Sequence, residues 1–120
     1  MTIDVLPSIE RDALILLLSG TDATCRELHS QLAHVVKVER NETGAGVYAV
    51  FRLDGDVKSL KDGGTFQLSG VFAVSEKCGE IGFLLYVKDG LIDCLEAYVY
   101  EDTYPRYSDC DFKLESDRKN

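Results

Sequence analysis

The Asp89-Gly90 step between two apolar runs constrains this chain more than any other feature. A type I′ turn needs positive φ at both central residues, and Asp-Gly supplies it, so the sequence predicts a β-hairpin over Gly79–Glu101. With a two-residue loop, Lys88 faces Leu91. The next pairs are Val87–Ile92, Tyr86–Asp93, Leu85–Cys94, Leu84–Leu95, Phe83–Glu96 and Gly82–Ala97. In that register one face carries Ile81, Phe83, Leu85, Val87, Ile92, Cys94 and Tyr98, with Glu96 among them. The other carries Leu84, Tyr86, Leu91, Leu95, Ala97 and Val99, with Asp93 among them. A sheet wet on one side alternates cleanly, and this hairpin does not, so its strands are expected to be central and covered on both sides.

The flanking segments complete an α+β reading. Ser8 opens a helix whose Ile9, Ala13, Leu14, Leu17 and Leu18 recur at helical spacing, and Gly20 closes it. A second helix starts near Thr21–Thr24, with Cys25, Leu28 and Leu32 as its apolar stripe. From His34 the period changes to two. Val36 and Val38, then Val47, Ala49, Phe51 and Leu53, mark two strands around the turn Asn41–Gly46. A further strand, Thr65–Ser75, would place Phe66, Leu68, Phe72 and Val74 on one side, with Gly70 marking a bulge or a close backbone approach. The expected fold is two N-terminal helices packed on an antiparallel sheet of about five strands with a central Asp-Gly hairpin. The 120 residues suit a single domain, 1–120. Residues 106–120 form a polar C-terminal tail that docks through Phe112 and Leu114.

Charge narrows the partners. A net charge of −8 argues against nucleic acid, whose phosphates are bound by Lys and Arg, and against an anionic membrane surface. It fits a basic protein partner. The longest apolar run, Ala13–Leu18, is far short of the ~20 residues of a membrane span, and the first residues carry no secretory pattern, so the expected location is cytoplasmic. In that setting Cys25, Cys78, Cys94 and Cys110, which form no close pair, are expected as free thiols.

Few constellations point to chemistry. Cys25 and His29 share a helix face at i, i+4, but a zinc site needs three or four protein ligands, so no metal is expected. No cofactor and no catalytic residue are expected either. Gly44-Ala45-Gly46 precedes a strand, not the helix a phosphate loop requires. Glu96 falls where alternation calls for an apolar side chain, which makes it a candidate structural buried carboxylate. Its other reading is a general acid/base in a small enzyme. Acidic residues and tyrosines interleave near the end of the chain. Tyr98, Tyr100, Glu101, Asp102, Tyr104, Asp109 and Asp111 are the candidate partner-binding residues, since tyrosine is enriched in binding hot spots.

The stretch Gly79-Glu-Ile-Gly-Phe-Leu-Leu-Tyr-Val-Lys-Asp-Gly-Leu-Ile-Asp-Cys-Leu-Glu96, with the aromatic strand and Pro105 after it, resembles a group of small uncharacterised bacterial proteins. Their pattern is an apolar strand, Asp-Gly, an apolar pair, Leu-Glu, an aromatic strand and Pro. Arg26-Glu-Leu-His-Ser-Gln-Leu32 has a weaker counterpart in them. The resemblance covers about a third of the chain and implies a bacterial source and a shared α+β fold. It carries no activity or catalytic residue. Some of these proteins have a Cys-rich segment after the second helix, which this chain lacks.

The expected function is therefore that of a non-enzymatic binding protein, an immunity-type inhibitor that occludes a basic toxin domain. The alternative is a self-associating domain, a homodimer through the second apolar face of the hairpin.

Overall fold

The computed structural model describes residues 1–100 and 103–117. Two helices, α1 (Ser8–Leu17) and α2 (Ala23–Gln31), precede the strands β1 (Val35–Glu42), β2 (Gly46–Leu53), β3 (Phe66–Ser75), β4 (Gly79–Lys88), β5 (Leu91–Tyr98) and β6 (Lys113–Ser116). These form one sheet in the order β1-β2-β5-β4-β3-β6, with every pair antiparallel. The α+β antiparallel architecture is the expected one. The sixth strand comes from the segment read as a polar tail, and it pairs Leu114 with Ala73 and Lys113 with Val74.

Both helices lie on one face of the sheet, α1 against β3 and β4 and α2 against β5. Leu14 and Leu17 of α1 and Leu28 of α2 are fully buried there, against Val71, Ala73, Ile81, Phe83, Leu85, Ile92 and Leu95. The helices form because their apolar residues recur every three or four positions and pack on the apolar face of the sheet, which supplies stability that segments of ten and nine residues lack alone.

The central hairpin turns at Asp89 (φ 53°) and Gly90 (φ 78°), the left-handed geometry Asp-Gly allows. A Cβ at Gly90 would lie 2.9 Å from the backbone nitrogen of Leu60, so this position also lets the 54–65 loop close over the turn. The register beyond the turn departs from regular pairing. Val87 pairs with Ile92, but Tyr86 pairs with Cys94, Leu85 with Leu95, Leu84 with Glu96 and Phe83 with Ala97. Asp93 is the extra residue of a β-bulge, and every later side chain of β5 changes face.

This corrects the expected facing of Glu96. A regular strand would bury a carboxylate opposite Phe83. The bulge instead turns Leu95 and Ala97 inward with Ile92 and sends Cys94, Glu96 and Tyr98 to the far side, which avoids desolvating an unpaired charge. A second bulge lies between Leu68 and Val71, at Gly70 with φ 96°. It splits the set expected on one side of β3. Phe66 and Leu68, opposite Val87 and Leu85, face the helices. Phe72 and Val74, opposite Gly82 and Glu80, face away.

The C-terminal segment is fastened at three points. Tyr107 donates a hydrogen bond to Glu10 of α1, Cys110 forms a disulfide with Cys78 of the β3–β4 turn, and β6 pairs with β3. The disulfide corrects the expectation of four free thiols. The two cysteines are 32 positions apart, with Cα atoms 6.1 Å apart, and only the return of the chain from β5 to the β3 edge brings them together. Cys25 and Cys94 are buried and lie outside the bridge. Among the described residues no helix is long and apolar enough to cross a membrane.

Candidate functional site

The helices cover one face of the sheet, and the other face carries the candidate site. Its side chains come from alternate positions of β2, β5, β4 and β3: Tyr48 and Val50, then Cys94, Glu96 and Tyr98, then Leu84 and Tyr86, then Phe72 and Val74. Most are half-buried by one another, and Tyr48 is 38% exposed. The Tyr98 ring lies over Gly82, where a Cβ would collide with it. Tyr100, 83% exposed, stacks edge-on against Tyr98 at 5.7 Å.

Glu96 sits at the centre of this face. Tyr48 is its register partner on β2 and Leu84 its partner on β4. Tyr86 Oη donates to Glu96 Oε1 at 2.6 Å, and this bond, with burial, pushes the Tyr86 phenol up to about 12. The neighbouring Glu96 carboxylate raises the Tyr48 phenol as well. Burial pushes the neighbouring Cys94 thiol up to about 11, which leaves it a poor nucleophile at neutral pH. Beside this group a groove of about 550 Å³ runs along the hairpin, lined by Tyr48, Gln67, Tyr86, Lys88, Asp93 and Cys94 among others.

The buried carboxylate of this fold is Glu10, not Glu96. Glu10 is 1% exposed. Arg40 grips it with Nε at 3.0 Å from Oε1 and Nη2 at 2.7 Å from Oε2, while Arg40 Nη1 reaches Glu42 at 2.8 Å. Tyr107 donates to Glu10, and the Tyr104 and Tyr107 hydroxyls lie 2.6 Å apart. The Glu10 carboxylate raises the Arg40 pKa, and burial followed by the bond to Glu10 raises that of Tyr107. Every polar group in this cluster has a partner, so it is built as a tie between α1, β1 and the C-terminal segment.

Gln31 is a second buried polar side chain that the sequence reading passed over. Its Nε2 donates to Lys58 O at 3.0 Å and to Gly90 O at 2.9 Å, and its Oε1 accepts from Ile92 N at 2.9 Å. The signal was present, because Gln31 lies on the stripe of Cys25, Leu28 and Leu32 at a position an apolar residue would fill.

The seven candidate partner-binding residues separate in space. Tyr98 and Tyr100 belong to the open face. Tyr104 belongs to the Glu10 cluster. Asp109 and Asp111 line a cleft of about 670 Å³ beside the disulfide, with Lys77 and Lys113. Glu101 and Asp102 lie outside the described residues. Cys25 is buried and His29 exposed on α2, and among the described residues no group of three His, Cys, Asp or Glu is placed to hold a metal ion.

Comparison of the chain with protein-family models, with curated proteins and with solved structures finds no match. The functional reading therefore rests on the geometry of this face.

Proposed function

We propose that the protein is a non-enzymatic binding protein whose open sheet face docks a basic protein, as an immunity-type inhibitor covers a toxin domain. One observation carries this reading: a continuous aromatic and apolar face, with a carboxylate at its centre, is left uncovered by the helices. Large uncovered apolar patches rimmed by polar groups mark interaction surfaces, and tyrosine suits them because it gives contact area at low entropy cost. A net charge of −8 favours encounter with a cationic partner.

Within this reading Tyr98 and Tyr100 are contact residues, and Glu101 and Asp102 follow them in the chain. Tyr104 is assigned to holding the C-terminal segment. The resemblance to small bacterial proteins supports a bacterial source. The Cys78–Cys110 bridge weighs against the cytoplasm, where thiols are kept reduced, and favours action in an oxidising compartment.

The test is calorimetric titration with the basic product of a neighbouring gene. Tyr98→Ala with Tyr100→Ala is expected to weaken binding at least about tenfold, as loss of two hot-spot aromatics does. Unchanged binding by that variant and by charge reversal at Glu101 and Asp102 would remove the surface assignment. The second reading, a homodimer, draws on Leu84, Phe72 and Val74, which are half-buried on the same face. It predicts a dimer by light scattering that Leu84→Asp dissociates.

A further inference from the structure

We infer that the β1 edge is a self-association site, at which two copies of the chain pair their β1 strands antiparallel about a two-fold axis through Val38. The inference goes beyond the docking reading, because pairing at the rim of the sheet leaves its open face free.

β1 ends the sheet and has only β2 beside it. Its eight residues contain no proline. Among the described residues, no backbone hydrogen bond other than the ladder to β2 involves residues 36–42. The outward N–H and C=O groups of this strand are therefore a template for one more strand. Val36, 58% exposed, adds apolar surface at the same edge. The opposite edge is closed differently: β6 has only four residues, and the segment that carries it is held by the Cys78–Cys110 bridge.

Edge strands are commonly guarded by charge, and on β1 the charges select a register. Lys37 and Glu39 lie on the open face, opposite Arg52 and Val50, while Arg40 reaches Glu10 on the helix face. A two-fold axis normal to the sheet makes every residue oppose one that points to the same face, so the axis must fall at a residue. Through Lys37, Glu39 or Arg40 it would set that charge directly against its own copy, which is destabilising. Through Asn41 it would overlap only the end of the strand. Through Val38 it sets Lys37 of each copy against Glu39 of the other, twice by symmetry. Val38, which packs on the core of its own copy, then meets Val38. Glu39 has room for the added cation. Arg52 Nε donates to Glu39 Oε1 at 3.0 Å and Lys37 lies 3.5 Å from the same oxygen, which leaves Oε2 to the lysine of the other copy.

The test is analytical ultracentrifugation of the full chain, with amide hydrogen exchange across the same concentrations. The expected result is a monomer–dimer equilibrium within concentrations up to about 1 mM, the weak end of specific association. Exchange should slow with concentration in residues 36–40 and not on the open face. Lys37→Glu sets two carboxylates against each other across the axis, and Glu39→Lys sets two ammonium groups. Either variant alone is expected to weaken self-association at least about tenfold, since both symmetry-related pairs are lost. Mixed together, the two variants regain two unlike pairs, and are expected to form a heterodimer close to wild-type strength. Unfolding midpoints of the two variants, substituted at the surface, check that each is folded. A chain that stays monomeric over this range would overturn the inference. So would variants that dimerise as the wild type does, or a mixture that associates no better than either variant alone. A dimer that Leu84→Asp dissociates belongs to the open face and removes the β1 assignment. Protection of residues 36–40 that appears only with the basic partner would give this edge to the partner and remove self-pairing.

Discussion

At the scale of single residues, the chain handles its two awkward carboxylates differently. Glu10 is buried, and Arg40, Tyr107 and the hydrogen bonds among them compensate it. Breaking such a pair from one side leaves a charge without a partner. Arg40→Met is therefore expected to lower unfolding free energy by about 3 kcal/mol. The double variant Glu10→Leu, Arg40→Met is expected to lose less than the sum of the singles, which a double-mutant cycle in urea measures directly. Glu96 is instead turned out of the core and accepts a hydrogen bond from Tyr86. Tyr86 here and Tyr104 beside the Glu10 cluster give a pH dependence. The Tyr86 and Tyr104 phenols are raised to about 12, from about 10 in an unfolded chain. The unfolded state then loses its protons first. The contribution of these groups to stability is complete below about pH 10 and falls as pH rises toward about 12. Phenolate absorbance, followed with the denaturation midpoint across that range, checks both the delay and the loss. Tyr86→Phe should remove part of the delay.

At the scale of elements, two devices set the sheet. The first is the hairpin with its bulge. Gly90→Ala must hold positive φ and meets the Leu60 backbone, so it is expected to cost about 1 kcal/mol or more in denaturant unfolding. Gln31→Ala, which strands the Ile92 N–H and leaves the Gly90 carbonyl with the Leu60 N–H as its donor, is expected to cost about 2 kcal/mol. Fast hydrogen exchange at Ile92 in that variant would locate the effect. The second device is the clasp of the C-terminal segment. The strand β6 has only four residues and sits at a sheet edge, where pairing alone is weak. The Cys78–Cys110 bridge closes a loop over 32 positions, and replacing both cysteines by serine is expected to cost about 3–4 kcal/mol. Reduction should produce a similar drop in midpoint in the wild-type chain and none in the serine variant. An equal drop in both would assign it elsewhere.

At the scale of the whole molecule, two helices on a six-stranded sheet can cover only one of its faces, and this asymmetry leaves open the surface on which we propose a partner docks. Alternate residues of β2, β3, β4 and β5 keep that face aromatic and apolar, and its edges hold the paired charges of Lys37, Glu39 and Arg52. Removing its aromatic side chains should affect association more than folding. Tyr48→Ala is expected to leave the unfolding midpoint within the scatter usual for surface substitutions, about 0.5 kcal/mol, while weakening partner binding. A large loss of stability would instead make Tyr48 a structural residue.

The sequence by itself determined the local elements. Helical spacing in Ile9–Leu18, alternation in Val47–Leu53 and the Asp89-Gly90 turn are short-range signals, because each depends on backbone geometry within a few residues. The bulge at Gly70 was also legible, since a glycine inside a strand marks one. The sequence held the sign of the bulge at Asp93 too, as a carboxylate in an apolar run, but not its remedy. Only the packed sheet decided that Asp93 would loop out, because the choice compares burying Leu95 and Ala97 with burying Glu96, and that comparison exists only once the helices supply a core. Three further features have the same cause. The Cys78–Cys110 bridge, the Arg40–Glu10 pair and the return of residues 113–116 to the β3 edge each join positions 30 or more apart. No spacing rule relates such positions, so tertiary structure alone sets their distance. The exposed face follows from both levels. Alternation assigned its residues, and the placement of two helices on the other side left it open.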